Sequence, residues 1–194
     1  ITETVFVSVV AASIISTVVF GPWLSFTLRK VRKNLVSFIF SQDDVLLDNN
    51  SRSKEELLKQ LIRKAAGKTG LPEPQLKTEI MAREEQMSTA VGKGIAFPHA
   101  HLKGLKSSKI FVVKPKFGID WDSPDGEAVS LVFLTLSPYE KPEAQLKLMQ
   151  SLASVLRNEK TLEKLNALDD PQKIYKLLKN QIAECDNCLV PEPA

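Results

Sequence analysis

Between Val5 and Leu28 no charged residue occurs, whereas beyond it apolar positions recur at the spacings of helices and strands. The uncharged stretch is long enough to cross a hydrocarbon core as a helix. Arg29, Lys30, Arg32 and Lys33 follow at once, so the positive-inside rule puts the C-terminal side in the cytoplasm. Glu3 precedes the apolar run and the basic cluster follows it, the reverse of a secretory signal. Ala11, Ala12, Ser13, Ser16 and Thr17 give this helix the small-residue composition of one packed against other membrane helices. The sequence opens on Ile1 without a methionine and so reads as a piece of something longer.

After the basic edge the period changes. Asn34 to Phe40 is apolar enough to continue the helix or to dock on a domain, and Val45-Leu46-Leu47 predicts a short entry strand. Ser53-Lys54-Glu55-Glu56 is a capping box opening a helix with Leu57, Leu58, Leu61, Ile62 and Ala65 on one face, ended by Gly67 and Gly70. Leu71-Pro72-Glu73-Pro74 turns into a second helix whose end, near Arg83, delivers that arginine to the next loop. Lys109 to Lys116 and Val129 to Leu136 are β-branched and apolar, which predicts two strands, with Trp121 in the turn between them covering the core edge. Pro142 starts a helix carrying Leu146, Met149, Leu152 and Val155, and Asp170-Pro171 caps a last helix with Ile174, Leu177 and Leu178 inward. Mixed order without repeats predicts an α/β domain with a central mixed β-sheet flanked by helices, preceded by one transmembrane-type helix. The boundaries are 1–34 for the membrane helix and basic edge, 35–183 for the domain and 184–194 for a flexible tail.

Composition leaves this picture in place. The chain has 194 residues, 43% apolar and 25% charged, which is ordinary globular material plus an appendage. A net charge of +3, densest beside the membrane helix, gives no case for nucleic acid. Cys185 and Cys188 form a lone Cys-x-x-Cys, half a zinc site with nothing spaced to complete it, so they read as reduced thiols and no metal is expected.

The candidate chemistry sits between Arg83 and Ala100. A neutral imidazole is a good nucleophile near pH 7, and the phosphohistidine it forms needs donors around it. Arg83 supplies a guanidinium fork, Ser88 and Thr89 a hydroxyl pair, and Gly92 and Gly94 allow close backbone approach to a group on His99. His101 has no motif support and is read as solvated.

The run Arg83-Glu84-Glu85, Ser88-Thr89, Gly92-x-Gly94-Ile95-Ala96-x-Pro98-His99 resembles the active-site signature of the fructose/mannitol/nitrogen-class enzyme IIA domain (type 2) of the bacterial phosphoenolpyruvate-dependent phosphotransferase system. The looser likeness extends from about Leu35 to about Leu178. It implies that His99 accepts phosphate on its outer ring nitrogen from a histidine phosphocarrier protein, with Arg83, Thr89 and loop amides around the group and no cofactor. There are two departures from the pattern. The second histidine of phosphotransferring members corresponds to Gln145, and the usual Thr-Gly-Ile-Gly reads Thr89-Ala90-Val91-Gly92. Gln145 can hydrogen-bond a phosphate but cannot become a cation.

Val7 to Ser16 followed by the Phe20-Gly21-Pro22 break resembles the last spanning helix of monovalent cation:proton antiporters. The two resemblances together imply a regulatory domain at the cytoplasmic face of the bacterial inner membrane, fused to a sodium or potassium:proton antiporter. Its partners would be that membrane domain and the phosphocarrier, and a homodimer is compatible with the arrangement. Two alternatives stand beside this: a phosphocarrier component of a sugar system, and a non-catalytic sensor of a small anionic metabolite or nucleotide.

Overall fold

The computed structural model describes residues 3–184, with the side chains of the first helix described at 5–24, 26, 27 and 39. Cys185, Cys188 and the tail beyond residue 184 lie outside the described residues. Helix α1 (Glu3–Ile39) runs past the basic cluster without a break, so the predicted membrane helix and the apolar stretch after it are one element. Its span Val5–Leu24 has a mean hydropathy of 2.1 and none of it is buried. At the other end Ile39 and Phe40 are buried, and Phe40 packs on Tyr175 with ring centroids 5.3 Å apart.

The domain follows as β1 (Val45–Asp48), α2 (Lys54–Thr69), α3 (Glu73–Gln86), β2 (Ala90–Gly92), β3 (Ile95–Ala96), β4 (His99–Leu102), β5 (Lys109–Pro115), β6 (Leu131–Pro138), α4 (Pro142–Leu156), α5 (Glu159–Ala167) and α6 (Pro171–Glu184). β1 lies parallel to β5, β5 antiparallel to β6, and β3 and β4 both run parallel to β6 along its other side; β2 pairs antiparallel with β3. The sheet is therefore mixed, as predicted. Its two faces bury separate cores. Phe111, Val113, Val132 and Leu134 face α2 and α3, whereas Ile110, Val112, Leu131 and Phe133 face α4, α5 and α6.

Local chemistry accounts for the helix ends. The Ser53 hydroxyl accepts from Glu56 N, but the Glu56 carboxylate reaches back to Arg52 N instead of Ser53 N, a shifted form of the predicted box. Gly67 does not end α2. The helix continues to Thr69 and stops at Gly70, whose φ of 72° is the left-handed conformation glycine accepts without strain. The sequence reading missed α5 and the three short strands of the motif region. Of the four apolar residues named for α4, Leu146 is exposed; the buried residues of that helix include Ala144, Gln145, Leu148, Leu152 and Val155. Trp121, expected at the core edge, is fully buried.

Candidate functional site

On the face of the sheet covered by α4, the apolar row of β6 runs out into polar residues. Leu131 and Phe133 give way to Thr135 and Ser137, and these stand in register with His99 and His101 on β4. His99 is the first residue of a strand, not a loop residue, and Pro98 marks the interruption between β3 and β4 along the same side of β6.

Arg83 reaches this row from the last turn of α3. Its Nη1 donates to Met87 O at 3.1 Å and its Nε donates to His99 Nε2 at 3.1 Å. A guanidinium has no lone pair to offer, so Nε2 accepts, and the ring proton sits on Nδ1, 2.9 Å from Phe97 O. His99 is therefore a neutral imidazole whose nucleophilic nitrogen is already aimed at a cation. Burial lowers its pKa below the usual histidine value; the Phe97 carbonyl opposes this, while the charges of Arg83 and His101 add to it.

Behind Arg83, Glu84 is buried and ties the motif together. Its carboxylate accepts from Thr89 N at 3.1 Å, from the Thr89 hydroxyl, and from Trp121 Nε1 at 2.9 Å, with Lys54 Nζ 3.7 Å away. Thr89 O in turn accepts from Phe97 N at 3.0 Å, which hooks the segment carrying His99 onto this network. Thr89 is thus buried with its hydroxyl directed to Glu84. The Ser88 hydroxyl donates to Trp121 O.

Gly92 and Gly94 flank Lys93 in the β2–β3 hairpin, all three at positive φ. A Cβ on Gly92 would stand 2.8 Å from Asp125 Oδ2, and that carboxylate also accepts from Lys93 N. A Cβ on Gly94 would stand 3.0 Å from Ser130 Oγ. Both glycines allow the hairpin to dock on neighbouring loops.

Gln145 arrives from the first turn of α4. It is buried, its Nε2 donates to Thr135 Oγ1 at 2.7 Å, and its Oε1 is buried without a partner. The structure thus brings Arg83 onto His99 and Gln145 onto the strand neighbour of His99. Ser88, Thr89 and the two glycines hold the surrounding chain. His101, read as solvated, is half-buried with Nδ1 2.9 Å from Ser137 Oγ. Glu84 appeared in the motif without a role, and nothing in the motif pointed to Thr135 or Ser137. The visible signal was a threonine and a serine at alternate positions in an otherwise apolar strand. Among the described residues no group of three or more His, Cys, Asp or Glu side chains could hold a metal ion.

Comparison with known proteins gives a consistent picture. A nitrogen regulatory protein of Bradyrhizobium diazoefficiens is 39% identical over 128 residues, covering 65% of this chain and 82% of that protein. The nitrogen regulatory protein IIA-Ntr of Neisseria meningitidis superposes with a TM-score of 0.70 at 25% identity, over 74% of this chain and 99% of that one. The IIA mannitol structure from Escherichia coli shares the fold, with a TM-score of 0.59 at 18% identity over 71% of this chain and 97% of that one. The family model described as phosphoenolpyruvate-dependent sugar phosphotransferase system, EIIA 2, matches residues 38–181, the stretch that builds the His99 site from α3, the sheet and α4, and to that family this chain belongs.

Proposed function

We propose that His99 accepts a phosphoryl group from a histidine phosphocarrier protein, and that the domain is the cytoplasmic regulatory end of a sodium or potassium:proton antiporter. The observation that carries the first half is the fixed tautomer: Nδ1–H bound to Phe97 O and a bare Nε2 facing Arg83. Attack requires only that Arg83 release Nε2 and take the incoming phosphoryl oxygens, for which a guanidinium fork is suited. Gln145 is bonded to Thr135, the register partner of His99, and in this reading serves as a neutral ligand, while Thr89 positions the strand from behind. Ser88, Gly92 and Gly94 are assigned to loop support in this reading. The reaction calls on no cofactor.

The second half rests on α1. The 20-residue apolar span of α1, none of it buried, has the length and composition to cross a hydrocarbon core, and the basic residues that follow it support a domain on the cytoplasmic side of the inner membrane. We accordingly divide the chain into a membrane helix with its basic edge over 1–34, the EIIA domain over 35–183 and a tail over 184–194. Phosphorylation adds about −1.5 to −2 charge, which would change how the domain sits against its membrane partner.

Incubation of the full chain with phosphoenolpyruvate, the general phosphotransfer enzyme and the phosphocarrier tests the first half. Intact mass should show one acid-labile phosphate, absent in His99→Ala; a chain that takes none refutes the acceptor role. The antiporter half predicts a multi-helix transporter domain encoded upstream of Ile1, and a sugar permease there would replace it. One observation favours a sensor as the second reading: the unpartnered Gln145 Oε1 suits a small ligand that brings its own donor.

A further inference from the structure

β4 carries a second histidine for which the proposal above has no task. His101 stands two residues from His99 on the same face of the strand, about 6.6 Å further along. Its register partner Ser137 is wholly buried, and the Ser137 hydroxyl lies 2.9 Å from His101 Nδ1. A buried hydroxyl needs an acceptor for its proton, and the acceptor at hand is Nδ1. Ser137 therefore donates, and the ring proton of neutral His101 sits on Nε2. Protonating the ring reverses the Ser137 bond and leaves Nε2–H in place. In both charge states His101 presents an N–H donor from a ring whose orientation Ser137 fixes.

We propose that His101 is a ligand of the phosphoryl group carried by His99, supplying from the strand a further donor and, when protonated, the positive charge that Gln145 cannot supply from α4. This rests on His99 being the acceptor. In the transfer the His99 Nε2 lone pair forms the new P–N bond, and the carrier's P–N bond breaks with its electron pair returning to the carrier's ring, which leaves as neutral imidazole. The His99 Nδ1 proton stays hydrogen-bonded to Phe97 O. His101 Nε2–H donates to a non-bridging oxygen and keeps its proton.

The test is phosphoryl exchange between the full chain in detergent micelles and the phosphocarrier at fixed ratio, read by intact mass. His101→Gln should lower the exchange constant about tenfold, the loss of one charge-assisted hydrogen bond. His101→Arg should restore most of it, and Ser137→Ala should fall between. In the wild-type chain the His101 Nε2 nitrogen resonance should shift on phosphorylation of His99, a readout that does not depend on any variant folding. An exchange constant unchanged in His101→Gln, or an unmoved His101 Nε2 resonance, overturns this proposal and leaves His99 as acceptor. A wild-type chain that takes no phosphate overturns both.

Discussion

Replacing Glu84 by alanine removes one carboxylate and deprives Thr89 N and the Thr89 hydroxyl of their acceptor at once; Trp121 Nε1 keeps only its longer 3.3 Å bond to Thr89 Oγ1, and Lys54 is left with Asp122 as its acidic partner. Glu84 is 5% exposed, so water cannot replace it without opening the core. Each orphaned donor costs about 1–3 kcal/mol, and because Trp121 Nε1 keeps its bond to Thr89 Oγ1 the sum falls short of full addition; about 3–5 kcal/mol is expected. Glu84→Gln separates charge from shape. Its carbonyl still accepts from Thr89 N and Trp121 Nε1, and its NH2 can donate to Thr89 Oγ1, so about 1–2 kcal/mol is expected, for the lost charge. Urea unfolding of the full chain in micelles, followed by far-ultraviolet circular dichroism and by indole fluorescence of buried Trp121, measures both. Phosphate uptake by His99 should fall in the alanine variant too, since Thr89 O holds Phe97 N beside the histidine. A loss below about 1 kcal/mol in Glu84→Ala, or equal losses in both variants, would refute the network as drawn.

Three further outcomes follow from the same geometry. The folded pKa of His99 is depressed, so its contribution to stability is fully present above the unfolded value near 6.5 and is lost as pH falls through that value toward the folded one, by at most about 1.4 kcal/mol per pH unit; urea midpoints from pH 7.5 down to 5 should fall more steeply for wild type than for His99→Gln, and parallel curves would contradict it. Gln145→His places an ionisable donor beside Thr135 and should lengthen the lifetime of the phosphate on His99, measured by mass against time after the carrier is removed; an unchanged or shorter lifetime counts against Gln145 as a ligand. Phe40→Ala empties a fully buried site against Tyr175 and should cost about 3–5 kcal/mol in unfolding of the domain, whereas an exposed α1 position such as Val18→Ala should leave it unchanged.

The sequence was most legible where a single local rule decides the outcome. Ser53 and the stripe from Leu57 to Ala65 specify α2 without help from the rest of the chain. The apolar run Leu131 to Leu134 that opens β6 declares a strand buried on both faces. Arg83 and His99, both named from the motif, lie in hydrogen-bond contact at 3.1 Å. What escaped is what only tertiary pairing creates. β2, β3 and β4 are two to four residues long, too short for a period, and exist because β6 offers a free side. The motif glycines resembled a phosphate cradle because positive φ serves a hairpin and an anion loop equally. Apolarity alone does not fix which residues of α4 are buried: Gln145 is buried and bonded to Thr135, while its apolar neighbour Leu146 is exposed.

The unbroken course of α1 makes residue count a rotational variable. A helix advances about 1.5 Å and turns about 100° per residue, so one residue added between Leu24 and Ile39 would swing the whole domain by more than a quarter turn about the helix axis while lifting it hardly at all. Seven added residues would bring it back to within about 20° of its first heading, about 10 Å further away. Any surface of the domain that must meet a partner fixed at the far end of α1 is therefore set by helical phase before it is set by distance, and insertions there should act periodically.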